Sequence, residues 1–167
     1  MKFFSLLWAM MGMFASCASS IKDKDWQETS KVVYRHSTPT VAPDYYRSFS
    51  VTVTAEEIVV DVRGYSKTLL TKRYTNTSEN YQSFIKQLQQ VGIKKVKEVD
   101  NAAGGGEAES LSLFKGENEY FSAYESSGSG NLKVANGDLG VLVRKIVPDL
   151  DKIIEQTYDN KNQEIEQ

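Results

Sequence analysis

Ser48-Phe49-Ser50-Val51-Thr52-Val53-Thr54 alternates apolar and hydroxyl side chains without a break, and its reading decides the fold. A period of two places Phe49, Val51 and Val53 on one face of a β-strand and the hydroxyls on the other, so one face is made for burial. Ala55-Glu56-Glu57 reads as a tight turn, after which Ile58, Val60 and Val62 resume the alternation against Asp61 and Arg63. Gly64 to Lys67 turns again, and Thr68 to Tyr74 supplies a third strand whose charge suits a sheet edge. Strands joined by turns this short are antiparallel, so a meander is expected.

Working outward, Val32, Tyr34 and His36 alternate with Val33 and Arg35 as a short strand, and Pro39 and Pro43 make the stretch from Ser37 to Pro43 an extended or turning linker. Downstream, Asn76 and Thr77 are capping residues with Glu79 at the capping-box position of Asn76. Tyr81, Phe84, Ile85, Leu88 and Val91 then fall on one helical stripe, which Gly92 ends. Neither this helix nor the meander can bury its apolar side alone, so one covers the other. Ile93 to Val99 reads as a lysine-rich edge strand, and Asn101 to Glu107 as a glycine-rich loop. Leu111, Leu113 and Phe114, the turn Gly116-Glu117-Asn118, and Tyr120 to Glu125 form a hairpin, followed by a mobile loop from Ser126 to Gly130. A last helix starts near Asp138 and carries Leu139, Leu142, Val143, Ile146, Leu150 and Ile153 on one stripe; Pro148 predicts a kink or restart inside it. The expected fold is α+β: an antiparallel sheet of a three-strand meander plus hairpin, covered by two helices. It forms one domain over residues 31–158, with a disordered tail at 159–167.

The amino terminus supplies an address. Lys2 is a positive n-region, Phe3 to Phe14 an apolar run, and Ala15-Ser16 the small residues before a cleavage site. A run of about a dozen residues is too short to span a bilayer that requires about 20. Phe14-Ala15-Ser16-Cys17 resembles the lipobox of bacterial lipoproteins, with phenylalanine where leucine is commoner. The resemblance implies removal of residues 1–16 as a signal peptide and acylation of Cys17, the only cysteine, which then anchors the chain to a membrane. Residues 17–30 are expected to be a lipidated, flexible tether because they are polar and charged; Trp26 either docks on the domain or sits at the membrane interface. Ala18, in place of the aspartate that resembles an inner-membrane retention signal, favours the outer membrane where a cell has two.

Composition narrows the classes further. Lys+Arg 20 against Asp+Glu 22 gives a net charge of -2, which argues against a general nucleic-acid binder. With one cysteine no intrachain disulfide is possible, and a mature chain of roughly 150 residues can rest on its own core.

The proline-rich lead-in ending in Pro43-Asp44-Tyr45-Tyr46-Arg47-Ser48, the meander, one helix, a Gly-Gly loop, a hairpin and a closing helix with Val147-Pro148 resemble a group of small bacterial lipoproteins and secreted domains of unassigned function. That likeness spans Thr38 to Ile154; the group's usual histidine in the aromatic pair is here Tyr46. It implies a fold and a compartment, and no reaction.

Few residues point to chemistry. A nucleophile needs an adjacent base, and His36 is the only histidine, better read as a half-exposed strand residue; zinc fails for the same shortage. Asp149, Asp151 and Asp159 lack the loop that frames calcium, and Gly104-Gly105-Gly106 lacks the lysine and helix of a phosphate loop. No cofactor or metal is expected. Tyr45, Tyr46 and Arg47 at the strand entrance, with Tyr120 and Tyr124 on the hairpin, are the candidate binding residues, because tyrosine offers rigid amphipathic contact area. The same tyrosines would equally serve a small core. Two functions follow: a membrane-anchored, non-enzymatic envelope domain binding a protein or glycan partner, or an envelope hydrolase using carboxylates such as Glu56, Glu57 or Asp61.

Overall fold

A computed structural model describes residues 19–38, 42, 45–99, 106–127 and 129–165. The expected leader, Cys17, the two prolines of the linker, and Gly104 and Gly105 lie outside the described residues.

The decisive alternation becomes β3 (Ser48–Val53) and β4 (Glu57–Arg63), antiparallel, with Val51 opposite Val60. The third strand, β5 (Thr68–Thr75), pairs with β4 and is the sheet edge expected from its charge. The upstream segment is β2 (Lys31–Ser37), and it is the keystone: it pairs with β3 on one side and with β7 (Ala108–Lys115) on the other. Meander and hairpin are therefore one sheet. The hairpin closes with β8 (Asn118–Ser126), and the sheet continues through β9 (Ser129–Val134) to β6 (Ile93–Val99) and β1 (Ser19–Ser20), all antiparallel. The order is β1-β6-β9-β8-β7-β2-β3-β4-β5.

One face is apolar across its central strands. Val32 and Tyr34 on β2, Val51, Val60, Leu111 and Leu113 are each nearly inaccessible to water. They pack with Phe84 and Leu88 of α2 (Ser78–Val91), Leu139 and Leu142 of α3 (Leu139–Ile146), and Leu150 and Ile153 of α4 (Leu150–Ile165). Each such side chain contributes about 1.5–3 kcal/mol by leaving water. Val147 to Asp149 separate α3 from α4, the restart expected of Pro148, and Asp138 caps α3 by accepting from the Val141 amide. Gly92 ends α2 at φ 71, a left-handed conformation that glycine takes without a Cβ penalty.

Four expectations need correction. The sheet is larger than a meander plus hairpin, because β1, β2, β6 and β9 join it and a third helix shares its cover. Of the stretch expected as a loop, Ser126 belongs to β8 and pairs with Ser129 of β9; Gly130, at φ 134, lets the strand pass where a Cβ would run into the Tyr124 carbonyl. The cap of α2 is Thr77, whose hydroxyl accepts from the Asn80 amide; Asn76 instead donates its side-chain amide to the Thr54 carbonyl, holding the turn before β4. Finally, residues 19–30 are not a free tether. After β1 comes α1 (Asp23–Gln27), and its Trp26 is 5% exposed, inserted into the core. Lys115 bridges Asp25 and Glu28, and Tyr81 donates its hydroxyl to the Thr29 carbonyl. One indole and these bonds supply what the average composition of the segment hid. At the other end, the backbone stays helical to Ile165, past the expected boundary at Tyr158.

Candidate functional site

The second face of the sheet carries the hydroxyl half of the alternation. Two adjacent rows of cross-strand neighbours cross it at one end: Tyr124, Ser110, Arg35, Ser50 and Asp61, then Ala108, Ser37, Ser48 and Arg63. All but Asp61 line a groove of about 380 Å³, with Tyr46 also in its wall. The serines alternate with buried Phe49, Val51 and Leu111, so the pleat that fills the core also presents the hydroxyls. Val33 and Val59, buried farther along the same face, give it an apolar middle.

Charge distribution makes this groove distinctive. Arg35 and Arg63 are exposed, and neither has an ion-pair or hydrogen-bond partner among the described residues. They stand two strands apart, roughly 10 Å across the sheet. The nearby Asp61 is engaged by the Thr71 hydroxyl at 2.5 Å. Tyr124 donates its hydroxyl to the Glu98 carboxylate, which steadies the ring at one end. At the other, Tyr46 meets Tyr65 edge-on, ring centres 6.1 Å apart.

Around the strand ends, on the helix face, a second depression of about 500 Å³ has the opposite character. Glu107, Glu109, Glu125 and Asp138 line it with Tyr34, His36 and Arg144. Glu109 accepts a 3.0 Å hydrogen bond from the Tyr34 hydroxyl. Burial holds Glu109 above the ordinary carboxylate range, with Asp138 and Glu125 pushing the same way against the Tyr34 bond; burial, then Glu109, raises the Tyr34 phenol. His36 stacks on Phe49, 5.2 Å between ring centres, and lies 4.0 Å from Glu107. His36 and Glu109 border both hollows. Arg144, in the wall of the second depression, pairs with Asp151, 3.1 Å from its carboxylate.

The residues singled out from the sequence scatter. Tyr46 and Tyr124 line the groove. Tyr45 is 68% exposed but is not in its wall. Arg47 is a correction: it is 4% exposed and donates to the Thr157 hydroxyl and carbonyl at 3.0 Å each and to the Tyr46 carbonyl at 2.8 Å, with Tyr158 stacked on its guanidinium. It clamps α4 to the start of β3. Tyr120 is also a correction. A register shift at Leu113/Phe114 separates its side from that of Tyr124, and it packs against the core, hydrogen-bonded to Thr29 at 2.6 Å. Among the carboxylates, Glu57 pairs with Arg73 at 2.8 Å, and Asp61 does not share the hollow of Glu56 and Glu57. Asp149 takes Lys72 and the Tyr74 hydroxyl at 2.6 and 2.7 Å, a structural tie between β5 and the α3 to α4 link.

Sequence reasoning passed over Arg35, Arg63 and the serines. The usable signal was the hydroxyl face of 48–54 itself, with a basic residue at the matching position of each flanking strand. No family model matches this chain, and no curated protein or solved structure matches it.

Proposed function

We propose that this chain is a lipid-anchored, non-enzymatic module of the cell envelope that holds a carboxylate-bearing saccharide in the serine-lined groove. The observation that carries the reading is a pair of guanidiniums, Arg35 and Arg63, that have no partner among the described residues and stand over a floor of Ser37, Ser48, Ser50 and Ser110. Guanidinium forks match carboxylates two bonds at a time. Serine hydroxyls donate and accept, as sugar hydroxyls require, and the flat apolar faces of Tyr46 and Tyr124 suit pyranose rings. The groove lies within the usual size range of small-ligand sites. Cys17, acylated and freed of residues 1–16, supplies the anchor in this reading. No helix among the described residues is long and apolar enough to cross a membrane.

Titration with an oligogalacturonate, followed by calorimetry and by amide shifts in β2, β3 and β7, tests the groove. Expected is binding that falls at least tenfold in Arg35→Ala or Arg63→Ala and that a neutral oligosaccharide of equal length lacks. Equal binding of the neutral sugar, or an unchanged double variant, would sink it. Intact mass of the membrane-extracted protein tests the anchor separately, through the diacylglycerol increment on Cys17.

The hydrolase reading keeps one supporting observation: Glu109 and Glu125 face each other directly across β7 and β8, and burial sets Glu109 apart. It requires turnover of the bound saccharide that Glu109→Gln abolishes.

A further inference from the structure

We propose that the lysine edge of the sheet, Lys94, Lys95 and Lys97 on β6, lies against a membrane surface bearing anionic phospholipid headgroups, so that the domain has one fixed orientation on the bilayer. The inference rests on the lipid anchor proposed at Cys17 and adds a face to it. Its starting observation is the loss of the tether. Ser19 pairs with Lys95 and Ser20 with Lys94, so the chain is already part of the sheet two residues after Cys17. Two residues of fully extended chain reach at most about 7 Å. Because β1 runs antiparallel to β6, its amino-terminal end points toward Lys97. An acyl anchor at Cys17 therefore enters the bilayer beside this edge, and cannot hold the domain at a distance.

The charge at the edge is the second observation. Lys94, Lys95 and Lys97 are all exposed, and none has an ion-pair partner among the described residues. Elsewhere the sheet neutralises its lysines: Lys72 with Asp149, Lys115 with Asp25 and Glu28, Lys133 with Glu125. Of the acidic groups on the same edge, Glu98 is engaged by Tyr124 and Asp23 accepts from the Gln89 amide. Lysine on an edge strand deters strand addition, but β1 already covers β6 at Lys94 and Lys95, so deterrence does not account for those two. Each lysine near an anionic surface gains roughly 1 kcal/mol, so together they hold the orientation by on the order of 100-fold. Arg35 on β2 and Arg63 on β4 are separated from β6 by β9, β8 and β7, so this orientation leaves the two guanidiniums off the membrane.

The test labels amines on the membrane-extracted protein in vesicles of phosphatidylglycerol with phosphatidylcholine, and in phosphatidylcholine alone. Expected is labelling of Lys94, Lys95 and Lys97 slowed about tenfold by phosphatidylglycerol, while Lys86, Lys145 and Lys152 on the helices keep their rates. Equal change at both sets of lysines would overturn the orientation. Intact mass taken first separates the two readings: without a diacylglycerol increment the anchor fails, and the unmodified full chain is then labelled with the same vesicles. Protection of the three edge lysines there retains the lysine surface, and its absence ends it. A Lys94→Gln, Lys95→Gln, Lys97→Gln chain, checked for folding by its unchanged circular dichroism, is expected to lose the preference for phosphatidylglycerol; a Lys86→Gln, Lys145→Gln, Lys152→Gln chain is expected to keep it.

Discussion

Arg47, just before β3, and Arg35, on the neighbouring β2, stand at the same end of one sheet, and their surroundings could hardly differ more. Arg47 is enclosed: Thr157, the Tyr46 carbonyl and the Tyr158 ring take its guanidinium, and it welds the last helix to the sheet. Arg35, with Arg63, has no side-chain partner among the described residues and lies beside a row of serines. The same contrast separates Lys115 and Lys72, bound to carboxylates, from the three lysines of β6. A charge already neutralised within the fold contributes to holding it together, while an unneutralised one remains available to something outside. Position in sequence does not distinguish the two.

That division is testable in descending order of effect. Trp26→Ala is expected to destabilise the domain by about 3–5 kcal/mol, because a buried indole is lost. A change under 1 kcal/mol in a urea melt would return residues 19–30 to the status of a tether. Arg47→Ala is expected to cost about 3 kcal/mol, through the cavity and the carbonyls left without donors. Saccharide binding by the fraction that stays folded should be unchanged, and a loss of binding with full stability would reverse the assignment of Arg47 to structure. Thr77→Ala, which removes one helix cap, is expected to cost about 1 kcal/mol.

Acid sharpens the contrast through Lys115. Its hydrogen bonds hold the carboxyls of Asp25 and Glu28 below their ordinary range. A depressed carboxyl contributes stability that is complete above its unfolded value, near pH 4, and is lost as pH falls through the folded one. Melting temperature should therefore drop as pH falls below about 4, and Lys115→Met should flatten that limb while leaving the variant less stable at neutral pH. The smallest effect is expected of Arg35→Ala with Arg63→Ala, within about 0.5 kcal/mol of the parent. A larger loss would mean that the groove arginines also belong to the framework.

How much could be read beforehand follows from range. The meander, the helix ended by Gly92, the hairpin turn at Gly116 and the break at Pro148 depend on residues a few positions apart, and all are present. β9 escaped because its strand is short and begins in a glycine-serine stretch; only its neighbours β8 and β6 make it a strand. The candidate site was half legible. Tyr46 and Tyr124 stand in the groove, whereas Arg47 and Tyr120 were drawn elsewhere by Thr157 and Thr29, partners 110 and 91 residues away.

The sequence by itself determined which side of each strand is apolar and where helices start and stop, since side-chain period and capping are local properties. Tertiary structure alone decided which cations have partners. Ion pairs and hydrogen bonds between distant residues exist only once strands stand in register, and that register left the side chains of Arg35, Arg63 and the lysines of β6 exposed and unpaired among the described residues.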